Sequence, residues 1–247
     1  MTFLNSRVIR LAVASILGGL LIGLVGGAFR YCLILSDNWR TQMIAWAHHW
    51  PYFAWMLPVI VGAGGAYLAR LLVVKFAPTA EGSGVQRVEA MFSGEVQPAS
   101  MSIIPVKFFG GLLAMGSGLA LGREGPTVQM GASFGGLVSR FLLKHDEDRR
   151  IVDAASAGGG LAVAFNAPIG GSIFVFEELT SNFTPWLLVS TLAAMFSSSR
   201  SSSSPVFCLV PPVRITVPVM VARPILSCGS NRLPVRMRAA PWTSGNS

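Results

Sequence analysis

The sequence predicts an all-α, multi-pass membrane protein in which the later helices are broken. Hydrophobic residues make up 52% of the 247 residues and charged residues only 12%, which is about half the charged share of an ordinary soluble domain. Two apolar runs of membrane-spanning length come first, and beyond residue 80 the apolar runs become short and are interrupted by glycine or proline. Such interruptions are typical of half-helices that meet at a binding site inside a membrane. We therefore expect the functional residues to lie at the breaks.

The net charge of +8 is concentrated near the end of the chain. Six of the nineteen basic residues follow residue 198, whereas all eleven acidic residues precede it, so the part up to residue 198 carries only +2. The excess of basic residues therefore belongs to a terminal segment, and it predicts no nucleic-acid partner.

The cysteines and histidines form no metal-binding or disulfide pattern. There are three of each, and they are Cys32, Cys208, Cys228, His48, His49 and His145. No CxxC pair and no helical histidine pair is present, and the chain contains no Walker motif, nucleophile elbow or HExxH sequence. We expect no metal, no cofactor and no enzymatic activity.

The first predicted helix covers residues 11–29. Its basic start and apolar run could also form a signal peptide, but the run is longer than a signal core and no clear cleavage site follows, so we expect a retained helix. Gly19, Gly23 and Gly27 recur at four-residue spacing. This spacing places them on one helix face, where small residues let a neighbouring helix approach closely.

A second apolar run covers residues 52–74 and predicts a helical hairpin. The polar segment that connects the two runs contains Asp37, Asn38 and Arg40. Basic residues precede the first run and close the second, which places both outer ends of the hairpin in the cytoplasm by the positive-inside rule. Two arginines in the connecting segment weaken this orientation.

The sequence GREGP at residues 122–126 places an arginine and a glutamate between two apolar runs. Ionisable residues at membrane depth are costly and mark ion or proton paths. Because Pro126 suits the first turn of a helix, the preceding unpaired N–H groups would form an anion site, which the Glu124 carboxylate could itself occupy. The alternative is that Arg123 and Glu124 neutralise each other at an interface.

Two further segments carry polar residues next to a helix. Ser83, in the sequence GSG before a short helix at 85–92, can either cap that helix or donate its hydroxyl to an anion. Glu177 and Glu178 close an apolar helix that starts near Pro168. One of the two acids could face a buried proton path, but a solvated helix end explains both equally well.

These segments together resemble a known family. GSG at residue 82, PVKFFGGLLAMGSGLALGREGPTVQMGASFGGLVSR from Pro105 and FNAPIGGSIFVFEEL from Phe165 closely resemble the CLC chloride channels and chloride/proton exchangers, bacterial members above all. The likeness runs to about Phe196. It implies a multi-pass protein of the bacterial inner membrane, a homodimer in which each subunit has its own pore, and a fold of two inverted repeats of broken, tilted helices.

The resemblance also implies roles for particular residues. The Ser83 hydroxyl would coordinate a central chloride ion within the loop that includes Gly84, and the amides around Arg123, Glu124 and Gly125 would form the outer anion site. Glu124 would be the external gate. Glu178 would carry protons on the internal side, which favours chloride/proton antiport over a passive channel.

The chain departs from the family pattern in two places. Gln86 stands where the family has a proline, and the second repeat is absent. We expect residues 1–196 to form the membrane repeat and residues 197–247 to form an unrelated tail, rich in serine, proline and arginine, that is disordered or translated out of frame. In the second case another reading frame beyond Phe196 should encode further helices. The alternative function is therefore a truncated, non-conducting membrane fragment.

Overall fold

The computed structural model describes residues 2–47, 56–92, 95, 101–180 and 184–202, with side chains from residue 7 onwards. Within these ranges the chain is helical and contains no β-strand, which confirms the predicted all-α class. The α-helices are α1 Thr2–Ala47, α2 Met56–Phe76, α3 Val85–Phe92, α4 Ile103–Gly116, α5 Glu124–Leu142, α6 Asp146–Phe165, α7 Pro168–Phe174 and α8 Pro185–Ser202. A 3₁₀ turn covers Pro78–Ala80 and a π turn covers Val175–Leu179. Residues 203–247, including Cys208 and Cys228, and the pair His48 and His49 lie outside the described residues.

Helix α1 is much longer than the sequence predicts. It runs for 46 residues, or about 69 Å at 1.5 Å per residue, and it includes Asp37, Asn38 and Arg40, which we expected in a connecting loop. The expected loop was wrong because it was based on the polarity of these side chains. No glycine or proline interrupts the backbone between residues 28 and 47, so the helix continues through them. Arg40 also forms an ion pair with Asp37 one turn earlier, which supports the helix. Helices α1 and α2 are long and apolar enough to cross a membrane.

The glycine face of α1 packs against α8, as the four-residue spacing predicts. A Cβ atom on Gly19 would lie 3.0 Å from the Cα of Ala194, and one on Gly23 would lie 2.7 Å from the carbonyl oxygen of Ser198. The hydroxyl of Ser201 donates to the carbonyl oxygen of Leu20 at 3.3 Å. Apart from small serine side chains of α8, only backbone atoms lie in these contacts, so the two helices approach closely.

Helix α8 continues past the boundary that we predicted at Phe196. It ends at Ser202, and both Ser198 and Ser201 are buried. Residues 197–202, the first six residues of the predicted tail, are therefore helical and packed. This helix corrects the disorder that we expected for them.

Helices α5 and α6 form the centre of the structure. Their close packing holds the start of α5 in place. A three-residue connection joins them, as in an antiparallel helix pair. A Cβ atom on Gly131 would overlap the carbonyl oxygen of Ser156, and one on Gly160 would overlap that of Thr127. The start of α5 therefore packs directly on the end of α6.

An ion pair ties α1 to α6. The Arg7 guanidinium donates to Asp148 Oδ1 from Nε at 2.9 Å and from Nη2 at 2.5 Å, and Asp148 is only 4% exposed. The same guanidinium lies 5.8 Å from the ring centroid of Trp186 at the start of α8. One arginine therefore connects three helices.

Candidate functional site

A cavity of about 950 Å³ opens where the broken helices meet. Ser83, Gln86, Glu124 and Gly125 line it together with Lys107 of α4. These residues come from three segments that the sequence separates by up to 42 positions. The breaks in the apolar runs thus converge, as the sequence predicts.

The loop at residues 82–84 depends on its two glycines. Gly82 has φ +85° and Gly84 has φ +83°, a region that L side chains rarely adopt. The carbonyl oxygen of Gly84 accepts the first helical hydrogen bond of α3, from the N–H of Val88 at 3.1 Å. Gly84 therefore occupies the N-cap position, and Ser83 lies one residue outside it. This arrangement leaves the capping interpretation of Ser83 without support and leaves its exposed side chain on the cavity.

Helix α5 starts at the GREGP break. Glu124 is its first residue, Pro126 lies in its first turn as expected, and the N-cap residue Arg123 forms no capping hydrogen bond through its side chain. The Thr127 hydroxyl donates towards the carbonyl oxygens of Arg123 and Glu124, at 3.1 and 2.9 Å. In both bonds the hydroxyl is the donor, and no side-chain hydrogen bond from the N-cap residue satisfies the N–H groups of the first turn.

Arg123 and Glu124 do not neutralise each other. Both are exposed, and none of the ion pairs among the described residues joins them. The Glu124 side chain instead lies over its own break, because a Cβ atom on Gly122 would be 3.2 Å from Glu124 Oε1. The carboxylate thus stays beside the start of α5.

The two loops are in direct backbone contact. A Cβ atom on Gly125 would overlap the carbonyl oxygen of Ser83, and one on Gly84 would overlap the carbonyl oxygen of Gly125. Only glycine fits at both positions. The starts of α3 and α5, each with the positive end of a helix dipole, are thereby held side by side.

Sequence reasoning missed two side chains, one of which holds the loop at residues 82–84 and the other the 3₁₀ turn before it. Lys107 Nζ donates to the carbonyl oxygen of Gly82 at 2.9 Å, and Gln129 Nε2 approaches that of Thr79 at 3.4 Å. Both residues are buried. A lysine inside the apolar run PVKFFGGLL was a usable signal, because ionisable residues in such runs are functional by default.

Glu178 is not among the residues that line this cavity. It lies with Glu177 in the π turn Val175–Leu179, and both side chains are exposed. The structure therefore brings Ser83, Glu124 and Gly125 together on one cavity, with Gly84 and Arg123 next to them in sequence, and leaves Glu178 apart. The two interpretations of the acidic pair remain open.

The chain matches known proteins over most of its length. The family model described as "Voltage gated chloride channel" matches residues 64–229, more than half of the chain. The H(+)/Cl(-) exchange transporter ClcA of Vibrio cholerae is 40% identical over 185 residues, which cover 74% of this chain and 39% of that protein. ClcA of Cronobacter sakazakii is 40% identical over 169 residues, which cover 68% of this chain and 36% of that protein.

Solved structures agree with this match. A slow cyanobacterial Cl-/H+ antiporter has a TM-score of 0.73 and 32% identity, covering 78% of this chain and 46% of its own. A eukaryotic CLC transporter, at 21% identity and a TM-score of 0.66, shares the fold over 77% of this chain and 38% of its own. The chain spans less than half the length of each of these relatives.

Proposed function

Because the chain belongs to the voltage-gated chloride channel (CLC) family, whose members are multi-pass membrane proteins, we propose that it forms one side of a pathway that exchanges chloride for protons. The observation that carries the proposal is the shared cavity, into which Ser83 and the starts of α3 and α5 face. Relatives named as H(+)/Cl(-) exchange transporters support it. The membrane is proposed to be the bacterial inner membrane, and the partner a second copy of the complete subunit.

The anion site uses donors that carry no net charge. Orphan N–H groups at two helix starts and the Ser83 hydroxyl can replace part of the hydration shell of chloride. Neutral donors bind an anion strongly enough for entry and weakly enough for release, which transport requires. Chloride is proposed rather than nitrate because Ser83 resembles the chloride-type choice of the family, whereas nitrate-preferring relatives carry proline at this position.

Glu124 couples the anion to the proton. Its carboxylate and a chloride ion are both attracted to the start of α5, and two like charges cannot share that space cheaply. Protonation removes the negative charge and releases the site to chloride. Glu178, on the exposed π turn, is proposed to exchange protons with the opposite side.

A second candidate is a subunit that folds in the membrane but does not conduct by itself. The observation that favours it is the span of the match, since the chain covers only 39% of the Vibrio cholerae relative. In that case residues that complete the anion site come from elsewhere. The chain would still bind chloride at the helix starts, with lower affinity.

Reconstitution in liposomes tests both candidates. Purified chain is placed in KCl-loaded vesicles, a potassium ionophore is added, and chloride efflux and proton uptake are recorded together. Antiport predicts efflux with stoichiometric proton uptake, and the second candidate predicts neither, with chloride binding retained in detergent. Absence of both flux and binding would refute the anion-site proposal itself.

A further inference from the structure

We propose that Lys107 is a positioning residue for the anion site: its ammonium fixes the orientation of the Gly82–Ser83 peptide and thereby the direction of the Ser83 donors. This inference rests on the proposed function, because it assumes that Ser83 contacts an anion. It extends the proposed anion site to Lys107 of α4, which acts through the loop and does not contact the anion itself.

The Lys107 ammonium lies in a buried position and needs a strong hydrogen-bond partner there. The residue is 7% exposed, and no ion pair joins it to an acidic residue among the side chains that the structure describes. Its bond to the carbonyl oxygen of Gly82 is charge-assisted and short, at 2.9 Å. A buried cation without such a bond is strongly destabilised. The ammonium and the carbonyl oxygen therefore restrain each other.

The loop needs an external restraint because its own backbone supplies little. Ser83 stands between two glycines at positive φ, and glycine populates several backbone regions at similar free energy. The N–H of Ser83 belongs to the same planar peptide as the carbonyl oxygen that Lys107 holds. Fixing that oxygen fixes the direction of the N–H. Gln129 plays a parallel part three residues earlier, at the Thr79 carbonyl oxygen.

Positioning can be separated from a plain charge effect. A fixed positive charge attracts every monovalent anion to a similar extent, since Coulomb attraction depends on charge and distance. The direction of a donor, in contrast, distinguishes a spherical anion from a planar one such as nitrate. The preference for chloride over nitrate is therefore the informative quantity, more than the affinity for either anion.

The test compares the wild-type chain with K107M, K107R and K75M in detergent. Met removes the donor and the charge, and Arg keeps both. Lys75, at the end of α2, is a lysine that does not line the cavity. Isothermal titration with chloride and with nitrate gives the ratio of affinities. Hydrogen exchange of the Glu81 and Val88 amides, which bond to Pro78 and Gly84, reports loosening on both sides of the loop.

We expect K107M to reduce the chloride-to-nitrate ratio by about fivefold, the equivalent of one hydrogen bond, and to speed exchange at both amides. K107R should stay within about twofold of the wild type by the same measure, and K75M should match it. Equal weakening of both anions in K107M, or loss of the preference in a folded K107R, would overturn the inference while leaving the proposed function intact. A wild-type chain that binds neither anion would instead overturn the proposed function, and this inference with it.

Discussion

The carbonyl oxygen of Ser83 occupies the space into which a side chain on Gly125 would project. This single contact joins the loop before α3 to the first turn of α5. Ser83, which is proposed to bind the anion, is therefore in backbone contact with the residue that follows Glu124, the proposed gate. A shift of either loop must be accommodated by the other.

Replacing Gly125 with alanine should destabilise the protein. The new Cβ atom would overlap the Ser83 carbonyl oxygen, and relieving an overlap with backbone costs about 1–3 kcal/mol. The loss should appear as a lower thermal unfolding midpoint in detergent. Gly64→Ala is the matched control, because no atom lies within 4 Å of its Cβ position. Equal midpoints for the two variants would contradict the close contact.

Replacing Gly82 with alanine separates backbone strain from overlap. No atom lies within 4 Å of its Cβ position, but its φ is +85°, and a left-handed conformation costs an L residue about 1–2 kcal/mol. We expect a loss of that size in the free energy of unfolding, smaller than the loss for Gly84→Ala, which adds an overlap with Gly125. Chemical or thermal unfolding of both variants measures these losses. A larger loss for Gly82→Ala than for Gly84→Ala would contradict the expected order.

Glu124→Gln should uncouple protons from chloride. The amide resembles a protonated carboxyl group in shape and charge, so the anion site stays open while no proton can be carried. In vesicles, proton uptake should fall to background and chloride efflux should persist. Unchanged coupling would remove Glu124 from the mechanism.

Glu178→Gln should reduce proton uptake while Glu177→Gln does not. The two acids are adjacent and both exposed, so the pair of variants is matched for charge and surroundings. Parallel measurements of proton and chloride movement are needed, because a general loss of protein would lower both fluxes. Equal effects of the two variants would favour the solvated-end interpretation.

Arg7→Met should destabilise the protein more than Arg70→Met. Loss of Arg7 leaves the buried Asp148 carboxylate without its ion-pair partner, at a cost of about 1–3 kcal/mol. Arg70 pairs with Glu81 at 3.4 Å with both side chains exposed, and such pairs contribute under about 1 kcal/mol. Thermal unfolding in detergent compares them, and a larger effect of Arg70→Met would contradict the role of the Arg7 junction.

The broken helices and the residues at their ends could be predicted from the sequence, because glycine, proline and isolated charges mark them locally. The extent of α8 could not, because a serine run is a poor helix former. Its hydroxyls donate to the helix's own carbonyl oxygens, as Ser197 does to Ala194 at 3.1 Å and Ser198 to Met195 at 3.1 Å. Serine thereby satisfies its polar group inside an apolar contact.

The side chains that hold the loop were missed for a different reason. Lys107 bonds to a carbonyl 25 positions earlier, and Gln129 reaches one 50 positions earlier. A backbone carbonyl oxygen is present at every residue, so no residue type marks the partner in the sequence. Such pairs become visible only when the fold brings them together.

The contact between α1 and α8 can form only after α8 has been synthesised. Gly23 meets Ser198 and Ser201, which are made roughly 10–35 s later at usual rates of synthesis. During that interval the glycine face of α1 contacts lipid or the insertion machinery, because α8 has not yet been made. The face of α1 that carries Gly19 and Gly23 is thus covered by α8 only after the other described helices have been made.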